Sequence, residues 1–225
     1  MKKIIFAIIG LFSLGMTAQK SVSINEDIDG LKVSAGLLVE LYTNADENKI
    51  VASEEVFEAI NYKVRENQLK ISSSIETLLE GDVPLELKVY VKDLNNLNVV
   101  QGSEVEFVNK FETDKLFLRA GEGSTISGEI YVNSLEAKVI SGGEIEVVGE
   151  AKSQEVEVNT GGEYDGEDFI TENTFVKISY GGEAEVYASK NCEAKVIVGG
   201  TIDIYGNPEF LNEKTNFGGE INLKK

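Results

Sequence analysis

Carboxylates recur in this chain at fixed distances from pairs of glycines, and carboxylate oxygens are the donors that Ca²⁺ prefers. With the first Gly of each pair as zero, Gly142, Gly161, Gly181, Gly199 and Gly218 lie 18 to 20 residues apart. Two places after zero stand Glu144, Glu163, Glu183, Thr201 and Glu220; four after stand Glu146, Asp165, Glu185, Asp203 and Asn222. Eight of these ten positions are acidic. Glu144, Glu146, Glu163, Asp165, Glu183, Glu185 and Asp203 are the candidate face for a ligand or cation. The acids form rows and no single enclosing loop, so the expectation is weak Ca²⁺ binding at most and no dedicated cofactor. The densest stretch, "GGEYDGEDF" at 161–169, lacks the nine-residue recurrence that a Ca²⁺-binding nonapeptide repeat needs.

Four places before zero the column is mostly basic: Lys138, Glu157, Lys177, Lys195 and Lys214. A charged, partly compensated soluble surface is the plainest reading of all three columns. Exposed aromatics such as Tyr187 and Tyr205 are of a type that stacks on sugars, although Tyr is also an ordinary strand residue. Catalysis is poorly provided for, with no His and only Arg65 and Arg119 as arginines. The alternative function is a polysaccharide lyase that sets acidic Ca²⁺ ligands beside a basic residue. Lys177 or Lys195 as its base would need a pKa lowered by burial, which an outward column does not offer. Cys192 has no imidazole to activate it and reads as a small core or loop residue.

These columns need elements that stack. Five and three places before zero come mostly apolar residues, Ala137, Val156, Val176, Ala194 and Val139, Val158, Ile178, Val196, although the last repeat has Glu213 and Thr215. Ser141, Thr160, Tyr180, Val198 and Phe217, one place before zero, extend the same period. Three and five after zero follow Ile145, Tyr164, Ala184, Ile202, Ile221 and Val147, Gly166, Val186, Ile204, Leu223. Period two on both sides of the Gly pair predicts strands with these positions inward and the glycines at the corner. "LNVVQGSEVEF" is an earlier coil about Gly102. "LFLRAGEGSTI" aligns through Gly121 on one side and Gly123 on the other, as if two residues were inserted at the corner. Seven coils of about 19 residues predict an all-β, single-stranded parallel β-helix, whose equivalent strands stack at about 4.8 Å. The glycines serve positive φ and close approach; a phosphate loop would precede a helix and would not recur.

Residues 19–96 lack the Gly pair but alternate as strands, with turns at Asp29-Gly30, Glu66-Asn67 and Gly81 to Pro84 and a short helical turn at "SEEVFEAI". They are expected to be irregular early coils or a cap that shields one end of the regular coils at 97–225.

The chain resembles the putative auto-transporter adhesin, head GIN domain family of exported bacterial proteins. The resemblance covers most of residues 19–225 and is carried by "IDGLKVSAGLLVELY", "NQLKISSS", "LELKVYVKDLNNLNVVQGSEVEF" and the Gly corners. It implies a right-handed β-helix and an adhesin-like role, and offers no catalytic residues to transfer. The family's corner is often Gly-Ser-Gly; here it is mostly Gly-Gly-Glu.

Bulk properties agree with a binding or structural part of the cell envelope. Lys2, Lys3, the apolar run to Met16 and small Thr17 and Ala18 have the layout of a signal peptide, 1–18. Its removal takes two lysines and shifts the formal charge from −18 to −20. Such a balance disfavours nucleic acid and anionic membranes. No membrane-spanning segment is expected after cleavage. The expected location is the periplasm, cell surface or medium, and the expected partner a polysaccharide or envelope protein, with the oligomeric state open. One Cys cannot form an internal disulfide, so core burial must supply the stability.

Overall fold

The structure is a computed structural model that describes residues 19–74 and 85–224. The expected leader and the turn at Gly81 to Pro84 lie outside these residues.

Alternating apolar residues build a parallel β-solenoid of about seven turns. β9 (Glu104–Gly121), β10 (Thr125–Ile140) and β11 (Glu144–Asn159) each wrap most of a coil. Shorter strands continue the stack: β12 (Gly162–Gly166), β13 (Phe169–Tyr180), β14 (Gly182–Tyr187), β15 (Asn191–Val198), β16 (Thr201–Tyr205), β17 (Phe210–Phe217) and β18 (Glu220–Leu223). Each repeat residue sits on its equivalent, as in Ile126↔Ile145↔Tyr164↔Ala184↔Ile202↔Ile221. The ladder Leu97, Leu118, Ala137, Val156, Val176 and Ala194 is wholly buried, as is Val99, Ala120, Val139, Val158, Ile178 and Val196. Burying a Val, Ile or Leu side chain contributes about 1.5–3 kcal/mol, so these ladders hold the coils together.

Three expectations need correction. Residues one before zero do not face inward: Tyr180 is 64% and Phe217 76% exposed, and Ser141 and Thr160 are also exposed. At Ser141 (φ 51°) and Thr160 (φ 56°) the left-handed turn starts on the residue itself and turns the side chain out; after Tyr180 and Phe217 it starts at Gly181 (φ 66°) and Gly218 (φ 73°), and Phe217 also lies on the exposed end strand β17. Second, the coil at Gly123 has no corner insertion, since Gly121 pairs with Ile140 and Leu118 with Ala137. The extra residues lie at the next bend, where register shifts between Phe107↔Gly128 and Phe111↔Ile130. Asn109 secures that bulge by accepting from Thr43 N at 3.0 Å and donating to Thr43 O at 3.2 Å. Third, Glu213 and Thr215 occupy inward columns but are exposed, because among the described residues no coil stacks beyond β17.

The paired glycines do different jobs. A Cβ on Gly142, Gly161 or Gly181 would meet nothing within 4 Å; these residues supply φ of 66–71°. A Cβ on Gly182 would lie 2.6 Å from Gly162 O and 2.7 Å from Val158 Cγ1, so this glycine permits close stacking. Two earlier coils place buried Ser103 and Ser124 at that second position. Ser124 Oγ donates to Gly121 O at 2.7 Å, and Ser103 Oγ accepts from Leu37 N at 3.2 Å.

The N-terminal region supplies both a coil and a cap. β2 (Gly30–Ser34) and β3 (Leu37–Tyr42) turn at Ala35 and Gly36, with φ of 70° and 73°. β2 lies between β6 (Gln68–Ser73) and β8 (Asn96–Val100), and β3 between β7 (Leu85–Tyr90) and β9, all parallel. An early coil is thereby inserted between two later ones. Antiparallel strands close this end: β4 (Asn48–Ser53) on β7, β1 (Gln19–Ile24) on β4, and β5 (Ile60–Arg65) on β6. The helix α1 (Glu54–Ala59) begins at Ser53, whose Oγ accepts from Val56 N at 3.2 Å.

Candidate ligand faces

The acidic face is built by the strands that follow each corner. Parallel register sets Glu144, Glu163 and Glu183 in one column and Glu146, Asp165, Glu185 and Asp203 in the next. All seven sequence-predicted residues therefore share one outward face. Its extent is greater than the repeats suggest. Glu104, Leu38 and Glu86 continue the first column beyond Thr125, while Glu106, Glu40 and Lys88 continue the second beyond Ser127. Leu38, Glu40, Glu104 and Glu106 escape the Gly-pair pattern because their corners are Ala-Gly or Gly-Ser; alternation after Gly36 and Gly102 is the signal that finds Glu40, Glu104 and Glu106.

The electrostatics differ along this face. Burial, followed by the charges of Glu144, Glu183 and Asp165, holds the Glu163 carboxyl above the ordinary carboxylate value. Burial also raises Glu185, with Asp165, Glu167 and Asp203 adding to it and Lys224 opposing. Lys224 pairs with Asp203 at 2.8 Å. At the other end Lys88 pairs with Glu40 at 2.9 Å, and the Tyr42 hydroxyl donates to Glu40 at 2.9 Å. The Lys88 and Tyr42 hydrogen bonds hold Glu40 below its ordinary value. Among the described residues no three carboxylates, thiols or imidazoles converge as a metal site. Near the cap, Glu40, Glu55, Glu86, Glu104 and Glu106 rim a groove of about 550 Å³ with Leu38, Val51 and Val56 in its lining.

The Lys138 column lies across the corner, on the strand segments that lead into it. Lys177 reaches Glu157 at 3.2 Å and Lys138 reaches Glu136 at 2.8 Å. Cys192 is buried in the core, and burial pushes its thiol up to about 12, which leaves it unreactive near neutral pH. Beneath the surface, Gln154 accepts from the buried Tyr164 hydroxyl at 2.8 Å and donates to Thr174 Oγ1 at 3.1 Å and to Tyr187 O at 3.1 Å. This polar network escaped the sequence reading because Gln154 and Thr174 sit where a bend breaks the period of two. It satisfies its members internally and presents no reactive group outward. Tyr187 and Tyr205 stack in register and are half-buried. No described helix is long and apolar enough to cross a membrane.

The fold is shared with solved proteins of low sequence identity. A putative adhesin from Bacteroides fragilis superposes with a TM-score of 0.79 at 14% identity, covering 92% of this chain and 96% of that one. A putative lipid binding protein from Parabacteroides distasonis gives 0.66 at 20% identity, covering 92% and 97%. A putative adhesin from Parabacteroides merdae gives 0.62 at 16% identity, covering 92% and 96%. No curated protein matches in sequence. The family model described as putative auto-transporter adhesin, head GIN domain, matches residues 27–208, and the chain belongs to that family.

Proposed function

We propose that the protein is a non-catalytic, exported binding module of the cell envelope that presents rigid solenoid faces to a polysaccharide or a protein. The observation that carries this reading is the unbroken register of outward side chains from Glu86 to Glu220 along one face. Such a surface offers a repeating set of contacts at strand spacing and holds it without a lid or hinge. Family membership in an adhesin group supports the same reading.

A glycan array and an envelope-protein capture, each with and without Ca²⁺, test the proposal. Saturable binding to a glycan or envelope protein is expected; no binding to either, or turnover of a uronate polymer, would overturn it. Export is checked by intact mass of the envelope or secreted protein, which should begin at Gln19.

A further inference from the structure

One outward column is mostly cationic from the N-terminal cap to the last described coil. β5 sets Lys63 opposite Lys70 of β6, and Lys70 stacks on Lys32 of β2. Lys32 is followed by Asn98, Asn98 by Arg119, and Arg119 by Lys138. The register continues through Glu157, Lys177, Lys195 and Lys214. Eight of these ten residues are Lys or Arg, in a chain with 21 basic residues against 39 acidic ones. Chance scatter would not gather them so.

Compensation covers only the middle of the ladder. Glu157 lies 3.8 Å from Lys138 and 3.2 Å from Lys177. Among the described residues Lys32, Lys70, Arg119, Lys195 and Lys214 make no ion pair. Asn98 Oδ1 and Arg119 Nε, neighbours in the ladder, are buried atoms without a hydrogen-bond partner. Like charges opposed at strand spacing destabilise a sheet, so the bare ladder is a cost to the fold that an anionic partner would relieve.

Resting on the glycan-binding form of the proposed function, we infer that this ladder docks a linear anionic polysaccharide with a carboxylate or sulfate on its sugar units. In the runs Lys70–Lys32, Arg119–Lys138 and Lys177–Lys195–Lys214, cations repeat at about 4.8 Å, close to the length of a sugar unit in an extended chain. Duplex nucleic acid carries a charge about every 1.7 Å of its axis, far denser than the ladder, and would also meet Glu136, Glu155 and Glu193 in the flanking column. The same flank holds Phe117 and Phe175, in register with Glu136 and Glu155 respectively, and Ile140 lies on the other side of Lys138. Aromatic and apolar faces suit the C–H faces of sugar rings. The acidic face meanwhile repels a polyanion and steers it to the ladder.

The test is calorimetry of the full chain with oligogalacturonate, its methyl-esterified counterpart, dextran sulfate and neutral dextran. Lys32→Gln/Lys70→Gln/Lys195→Gln/Lys214→Gln is compared with the wild type, with Asp46→Asn/Asp93→Asn, exposed acids outside both columns, as the charge control and melting curves as the check of folding. Should the fourfold variant melt early, Lys195→Gln/Lys214→Gln alone replaces it. An acidic polymer should bind, weaken with salt, and bind the fourfold variant at least tenfold more weakly, while the control binds as well or better. Equal binding of the neutral polymers, undiminished binding by the lysine variants, or tighter binding of single-stranded DNA would overturn the inference. So would salt-sensitive self-association of the wild type without polymer binding, which would seat the acidic face of a second copy on the ladder. If neutral glycans on the array bind and acidic ones do not, the ladder assignment fails and the proposed function stands. Failure of every glycan and envelope protein removes both.

Discussion

The regular coils and the N-terminal coil build the same stack by different means. From Gly142 onward each corner carries two glycines, one for a positive φ and one for close approach. In the N-terminal coil Ala35 takes φ 70° with a side chain attached, and the coil of β8 and β9 beside it holds Ser103 at the close-packed position. The acidic face divides similarly. Glu40 has Lys88 beside it, whereas Glu163 faces Glu144 and Glu183 in its own column. Regular repetition thus carries a cost: a repeat copies its charges along with its corners, and like charges meet at each coil. The irregular coil relieves this only in part: Lys88 neutralises Glu40 on one side, while Glu106 opposes it on the other and Lys70 opposes Lys32.

Gly182→Ala is the strongest way to break the comparison. Strain at φ 116° and contact with the Gly162 carbonyl should together cost roughly 2–5 kcal/mol, read as a large fall in Tm. Gly181→Ala, with open space around its Cβ, should cost only about 1–2 kcal/mol from the left-handed backbone. Equal melting of the two variants would refute the division of labour between the glycines. At the irregular corner the sign reverses: Ala35→Gly relieves the left-handed conformation and should gain about 1 kcal/mol. Ser53→Ala, which removes the α1 cap, should cost about 1 kcal/mol by denaturant titration.

Charge substitutions sharpen the comparison with smaller effects. Glu163→Gln should stabilise by about 0.2–1 kcal/mol near neutral pH, because it removes a member of a repelling row. Native Glu163 and Glu185 hold their protons to higher pH than the unfolded chain does. Their contribution is therefore fully present below the ordinary carboxylate value of 4.5 and is lost as pH rises through the raised native values. Glu40 is opposite in sign: its stabilisation is present above 4.5 and fades as pH falls through its lowered native value. Melting curves from pH 7 to about pH 2 should show Glu163→Gln flattening the gain on mild acidification and Glu40→Gln flattening the loss on stronger acidification. The smallest effect is that of Ca²⁺, expected to bind only weakly and less still to Glu163→Gln/Asp165→Asn; tight binding unaffected by these changes would place a site elsewhere.

Much of this architecture was readable before any coordinates. A period of 18 to 20 residues and alternation around each Gly pair are local facts, and a parallel stack is the arrangement that buries Ala137, Val156, Val176 and Ala194 together. The same register put the seven acids on one face, because side chains in strands alternate with fixed period. Tertiary structure decided the rest. It alone inserts β2 and β3 between later coils, since that choice depends on which strands find each other and not on any local residue pattern. It alone turns Tyr180 and Phe217 outward, since the left-handed corner breaks the alternation that the sequence projects through it. The cationic ladder lies between these cases. Arg119, Lys138, Lys177, Lys195 and Lys214 align by their spacing once the Gly123 coil is set in register, but Lys63, Lys70 and Lys32 join them only through strand pairing outside the Gly-pair repeat, and that pairing is fixed by the packing of one continuous core.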